Sequence, residues 1–265
     1  MTFRHHWLLP TLALALALAA RVSAAPMFDQ NHTALDRVLK QHVADGWVSY
    51  AALKAAPQPL DAYLDTLAAV PEAEFKTWPE KTRLAFLINL YNAATLKLVV
   101  DRYPVASIKK IGGLFNFGGL GDGPWAQKVV RLFGQVTTLD HVEHEIIRKE
   151  YDEARVHFAL VCAANGCPPL RAEAWTGEKL EAQLEEQGQI FLGQVAKNRV
   201  EPKTSTLHLS PIFKWFAGDF EAAAGSVEKF VTPFFPETAR GALAAGGFKI
   251  RYTDYDWSLN DAAKK

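Results

Sequence analysis

The chain has 265 residues, and 29 Lys and Arg balance 29 Asp and Glu, so it carries no formal net charge. No long run of one sign appears, which argues against nucleic acid or an anionic membrane surface as the main partner. The length can bury a full core, and no Ser/Gly-rich linker or internal repeat divides it, so one globular domain over residues 26–265 is expected.

Residues 1–25 read as an address. Arg4, His5 and His6 form a polar start, Leu8 to Ala20 an apolar stretch, and Val22-Ser-Ala24 a small-residue cleavage signal. That stretch is about 13 residues, short of the roughly 20 that a membrane span needs. No Cys stands at the cleavage point, so no lipid attachment is expected there. The chain is expected in a periplasm or outside the cell, with no membrane span once the signal is removed.

Phe28 to Val43 has the pattern of an amphipathic helix, followed by Asp45-Gly46 and a short strand around Trp47-Val-Ser-Tyr50. Leu60 to Leu67 suggests a second helix. Lys81 to Arg102 is a long helix ended by Tyr103-Pro104, and its apolar residues surround its whole circumference, which marks a buried central helix. Ile111 to Gly123 holds six glycines and reads as a loop. Lys128 to Val136 has the look of a hairpin turning near Gly134. Thr138 caps a helix from Leu139 to about Lys149.

The apolar run Val156 to Val161 is expected to be a strand, ended by Asn165-Gly166 and Pro168-Pro169. Thr176 to about Lys197 is a helix, Leu207-His-Leu a short strand, and Ser210-Pro211 opens a helix carrying Phe213, Trp215 and Phe216. Two short helices and a strand from Phe248 to Trp257 complete the chain. Helices dominate and strands are scattered, so the class is α+β, mostly helical, with a small sheet.

The only two cysteines, Cys162 and Cys167, stand five positions apart where the apolar run meets its turn. In an oxidising compartment a disulfide is the default. As a free thiol, either would need a lowered pKa and a nearby base, usually His. Buried inert thiols or a metal are the other readings. His157 is nearest in sequence, but strand alternation puts it on the face opposite Cys162 unless the strand bulges. Cys167, after an Asn-Gly turn, is expected to be the accessible thiol and Cys162 the buried one.

Three other segments carry polar residues on apolar faces. On the helix from Leu139, Glu143 falls inside the buried face and His144 on its flank, while His141 and Arg148 lie opposite. A carboxylate there must be paired or serve a purpose. A His141/His144 metal pair is weak, since His141 points outward. On the central helix, Asn89 and Asn92 need hydrogen-bond partners; they tie down a neighbouring loop, such as the glycine-rich one, or donate to an oxyanion. The last strand ends in Asp254 and Asp256, which orient a His or mark its exit into water.

These segments resemble the domain of unknown function 547 family, from Gly46-Trp-Val-Ser-Tyr50 to Asp254-Tyr-Asp-Trp-Ser-Leu-Asn260. Carrying the resemblance are Ala85-Phe-Leu-Ile-Asn89-Leu-Tyr91-Asn92-Ala93, Tyr103-Pro104, Ser107-Ile108 and Leu139-Asp-His-Val-Glu143-His144-Glu-Ile-Ile-Arg148. So do His157-Phe-Ala-Leu-Val-Cys162, Cys167-Pro-Pro-Leu170, Ser210-Pro-Ile-Phe-Lys-Trp215 and Asp219-Phe220. The resemblance implies that Asn89, Asn92, Glu143, His144, His157 and both cysteines belong to the family pattern. It implies no reaction.

Two functions stay open. One is an exported thiol-dependent hydrolase or transferase acting on amide or thioester bonds of a small-molecule or peptide-like substrate, with no cofactor or metal. Cys162 or Cys167 attacks, His144 or His157 is the base, Glu143 or an Asn orients it, and backbone or Asn89/Asn92 amides hold the oxyanion. A papain- or transglutaminase-like core is compatible by analogy alone. The other is a non-enzymatic binding module with a Cys162–Cys167 disulfide. On either, Glu143, His144, His157 and the cysteine loop are expected around one cavity, with Asn89 and Asn92 near its wall.

Overall fold

The computed structural model describes residues 27–112 and 123–265. The expected signal segment and most of the glycine-rich stretch lie outside them. The described chain is mostly helical, with three small sheets rather than one. Val43–Ala44 pairs with Trp47–Val48, and Lys128–Leu132 forms a hairpin with Gln135–Thr138 through Phe133 and Gly134, both at positive φ. The third sheet sets Thr206–Leu209 between antiparallel Arg199–Glu201 and parallel Lys249–Tyr252. The last strand is shorter than the sequence pattern suggests, because its partner offers only four residues to pair with.

The helix Glu80–Arg102 is the centre of the molecule. Sixteen of its 23 residues are buried, Leu84 through Leu96 without a break. It is long and apolar enough to cross a membrane, yet it is wrapped by protein. Glu80 lies in its first turn and Arg102 in its last, where each charge suits the helix dipole. Tyr103-Pro104 ends it, since a residue before proline is driven out of the α region.

Around this helix pack Thr33–His42, Tyr50–Ala55 and Gln58–Ala68, which build the larger hydrophobic cluster. The helix Tyr50–Ala55 takes the place of the end of the expected strand at Trp47 to Tyr50. A second cluster gathers Leu180–Leu192, the strand Thr206–Leu209 and the short helices after Ser210. The two clusters meet at residues 156–159, where Val156 and Ala159 face the first and Phe158 the second, and Tyr255 packs against both.

Gly46 ties the start of the chain to the cysteine loop. It bridges to Leu170 and accepts a hydrogen bond from Asn260 Nδ2 at 3.1 Å. Its φ is +82°, and a Cβ there would stand 2.5 Å from Pro169 Cβ. Alanine therefore meets both backbone strain and a clash with a rigid ring. Gly46→Ala is expected to lower unfolding free energy by at least about 2 kcal/mol, measured by urea denaturation with an unchanged m-value.

Candidate functional site

The helix after the hairpin begins as its sequence suggests, with Thr138 Oγ1 accepting from His141 N at 3.0 Å. From His141 to Ile147 it is π-helical, a wider turn that is rare and concentrates at functional sites. Glu143 is buried, His144 half-buried and His141 exposed, as the apolar pattern indicates. Arg148 differs from expectation. It lies one turn beyond His144, within reach of that ring, and donates to His144 Nδ1 at 3.1 Å. A neutral His144 therefore carries its own proton on Nε2.

The expected strand from Val156 to Val161 does not form. Val156–Ala159 is one helical turn, followed by extended chain. A short apolar run fits a buried helical turn as well as a strand, and here the central helix decides. Asn92 Nδ2 donates to Ala159 O and its Oδ1 accepts from Val161 N, both at 2.9 Å, supplying bonds a strand neighbour would give. The alternation that separates His157 from Cys162 is thereby lost, and both line one cavity.

His157 is 3% exposed and stacks on Phe216 at 3.9 Å between ring centroids. Its Nε2 lies 2.7 Å from Asp219 Oδ2. Arg148 holds the same carboxylate through Nε at 2.7 Å and its second guanidinium nitrogen at 2.9 Å. Hydrogen bonds from His157 and Arg148 keep the Asp219 carboxyl well below the usual carboxylate range. An ionised Asp219 only accepts, so Nε2 carries a His157 proton, and in the neutral ring Nδ1 has the free lone pair. The carboxylate bonded to His157 is thus Asp219, and neither Glu143 nor an Asn is among its hydrogen-bond partners.

Cys162 and Cys167 form a disulfide. Cys162 N donates to Cys167 Sγ at 3.0 Å, and the Tyr255 hydroxyl lies 3.2 Å from Cys162 Sγ and 3.1 Å from Cys167 Sγ. Burial raises the Tyr255 pKa, and the Glu143 charge adds to it, so the hydroxyl stays protonated. Accessibility is the reverse of the expectation. Cys162 is partly exposed and Cys167 only 3% exposed. The Asn165-Gly166 turn packs inward, its amides bonded to Ser258 O and Asp256 O at 2.8 Å, and carries Cys167 with it. Lys197 Nζ then donates to Cys167 O at 2.6 Å, and burial brings that amine down to about 8.

Glu143, His144, His157, Cys162 and Cys167 all line a cavity of about 210 Å³. Tyr91 stands beside Glu143 in its wall, its pKa raised by burial and then by that carboxylate. Trp215, Tyr255 and Trp257 pack on one another in the same wall, with centroids 4.6–5.8 Å apart. Asn89 and Asn92 are outside the cavity's described lining, and both ends of each amide are bonded to backbone. Asn89 is spent on Trp175 O and N, at 2.7 and 3.1 Å, and Asn92 on residues 159 and 161. They tie down the chain around the cysteines; most of the glycine-rich loop lies outside the described residues. Asp256 bonds Asn165 and Ser258, not a histidine.

A larger depression of about 490 Å³, at Arg171 and Gln187, has neither histidine nor cysteine in its lining. Among the described residues, no three His, Cys, Asp or Glu side chains group as metal ligands. The residues that sequence reasoning passes over are Asp219, Arg148, Tyr91 and the aromatic wall. Asp219 stands in a quoted family segment, but nothing local to Asp219-Phe220 announces its partner 62 positions away.

The family described as "Protein of unknown function, DUF547" matches residues 75–192. The match holds the central helix, the π-helical segment, His157 and both cysteines. The resembling segments at Gly46 and from Ser210 onward fall outside it. No curated protein and no solved structure matches the chain, so papain or transglutaminase likeness stays an analogy.

Asp219 has a sign-definite effect on stability. Its folded pKa lies below the unfolded value, so its contribution is present above about pH 4 and is lost as pH falls toward the folded pKa. Part of it is screened, since the carboxylate is 29% exposed. Unfolding free energy measured from pH 7 to pH 2 is expected to fall less steeply in Asp219→Asn than in the native chain.

Proposed function

We propose that this member of the DUF547 family is an exported thiol-dependent hydrolase or transferase acting on amide or thioester bonds, with Cys162 as nucleophile and the disulfide as its masked form. One observation carries the reading. A histidine whose proton is fixed by a clamped carboxylate shares a small cavity with the more exposed sulfur of the pair. The carboxylate–imidazole arrangement is that of an activated nucleophile.

An external dithiol opens the disulfide, becomes a disulfide itself and releases both thiols. His157 Nδ1 takes the Cys162 proton, and the sulfur attacks the acyl carbon. The tetrahedral oxyanion accepts from His144 Nε2–H and the Tyr255 hydroxyl. As it collapses, the amine or thiol leaves with the proton from His157, and a thioester to Cys162 remains. Water or an acceptor amine, deprotonated by the same nitrogen, then cleaves the thioester and restores the thiol.

A non-enzymatic binding module is the second reading, favoured by the disulfide itself, which removes both nucleophiles. Intact-mass measurement with a panel of acyl thioesters separates the two. Acyl-enzyme is expected after dithiothreitol but not before it, none in Cys162→Ser, and formation slowed about 100-fold or more in His157→Ala. Cys167→Ser is expected to acylate without reductant. No acylation of reduced, folded protein by any of the panel leaves the binding module.

A further inference from the structure

The cavity walls are unusual in what they combine. Tyr91, Trp125, Trp215, Phe216, Tyr255 and Trp257 supply six aromatic rings, and Asp140 and Glu143 supply two carboxylates. Among the described lining residues there is no Lys or Arg to balance those acids, and no Asn, Gln, Ser or Thr. Glu143 is only 9% exposed, and its protein neighbour is a tyrosine hydroxyl. Arg148, whose charge reaches it, is committed to both oxygens of Asp219. His144 accepts from Arg148 and so brings no positive charge in that bond. A buried carboxylate without a cation calls for one from outside.

From this composition we infer that the cavity binds a quaternary or N-methylated ammonium group, so that the substrate of the proposed reaction carries such a cation. Aromatic faces attract a cation through their quadrupole, and quaternary ammonium ions are weakly hydrated and need no hydrogen-bond acceptor. A primary ammonium brings three N–H donors to place, and a sugar brings several hydroxyls; a wall whose neutral polar groups are limited to two tyrosine hydroxyls and two histidine rings serves both poorly. The chain's own Lys109 ammonium already sits 4.5 Å over the Trp257 ring, which marks that ring as a cation seat.

The inference rests on this cavity being the substrate site, yet it is tested without thiol chemistry, in the disulfide form that cannot turn over. Calorimetric titration compares choline with 3,3-dimethylbutan-1-ol, its uncharged isostere of the same shape. Choline is expected to saturate a single site at least about tenfold more tightly than the alcohol. Glu143→Gln is expected to weaken choline by about tenfold and leave the alcohol unchanged. Should that variant misfold by near-ultraviolet circular dichroism, Asp140→Asn and Trp215→Ala, at less buried positions, are each expected to weaken choline about threefold. Equal affinity for the two probes, no saturation by choline with folded protein, or saturable binding of a neutral disaccharide in its place would overturn the inference. Failure of acylation with choline binding intact removes the enzyme reading alone.

Discussion

Two amides on one face of the central helix set the geometry of everything around the cavity. Asn89 and Asn92 are almost fully buried in an apolar cylinder, and each spends both ends of its amide on backbone. Asn92 clasps the chain at 159 and 161, and Asn89 clasps it at Trp175. Between those clasps lie both cysteines and the turn that joins them. A buried polar group left without its partner costs roughly 1–3 kcal/mol, so the helix selects one path for this segment. That path brings both cysteines to the cavity, Cys162 partly exposed and Cys167 buried.

A second constraint acts on the opposite wall. Asp219 links three segments distant in sequence, since its carboxylate holds Arg148 from the π-helical region and His157 from the helical turn. Arg148 follows the π-helical segment directly and stands one turn beyond His144, to which it also donates. Phe216 lies under both partners, stacking on the His157 ring and taking the Arg148 guanidinium 5.1 Å above its own. The result is an imidazole with one proton fixed on Nε2 and a fixed plane. Nothing in that arrangement requires the cysteines to be reduced; on the proposed reading the base is preorganised while the nucleophile is masked.

Much of this was readable along the chain. The central helix stands out because its apolar residues leave no polar face, and the odd residues on it and on the next helix, Asn89, Asn92 and Glu143, are the ones the structure buries. The convergence of Glu143, His144, His157 and the cysteine loop follows from the same logic, as polar residues on apolar faces seek a common interior. Local pattern failed where tertiary bonds replaced local ones. The run at 156–161 is apolar enough for a strand, and only the Asn92 amide makes it a turn. The inward Asn165-Gly166 turn depends on Asp256 and Ser258, about 90 positions away. The aromatic wall is drawn from residues 91, 125, 215, 255 and 257, which no window of sequence brings together.

The central claim is that His157, held by Asp219, activates the Cys162 sulfur, and the ionisation of that thiol tests it most directly. In Cys167→Ser, the rate of iodoacetamide alkylation at Cys162 against pH gives the thiol pKa. An isolated thiol titrates near 8.5. The account predicts an inflection at least about one unit lower, returning toward 8.5 when His157→Ala or Asp219→Asn is added. An inflection at or above 8.5, unmoved by either second change, would contradict it.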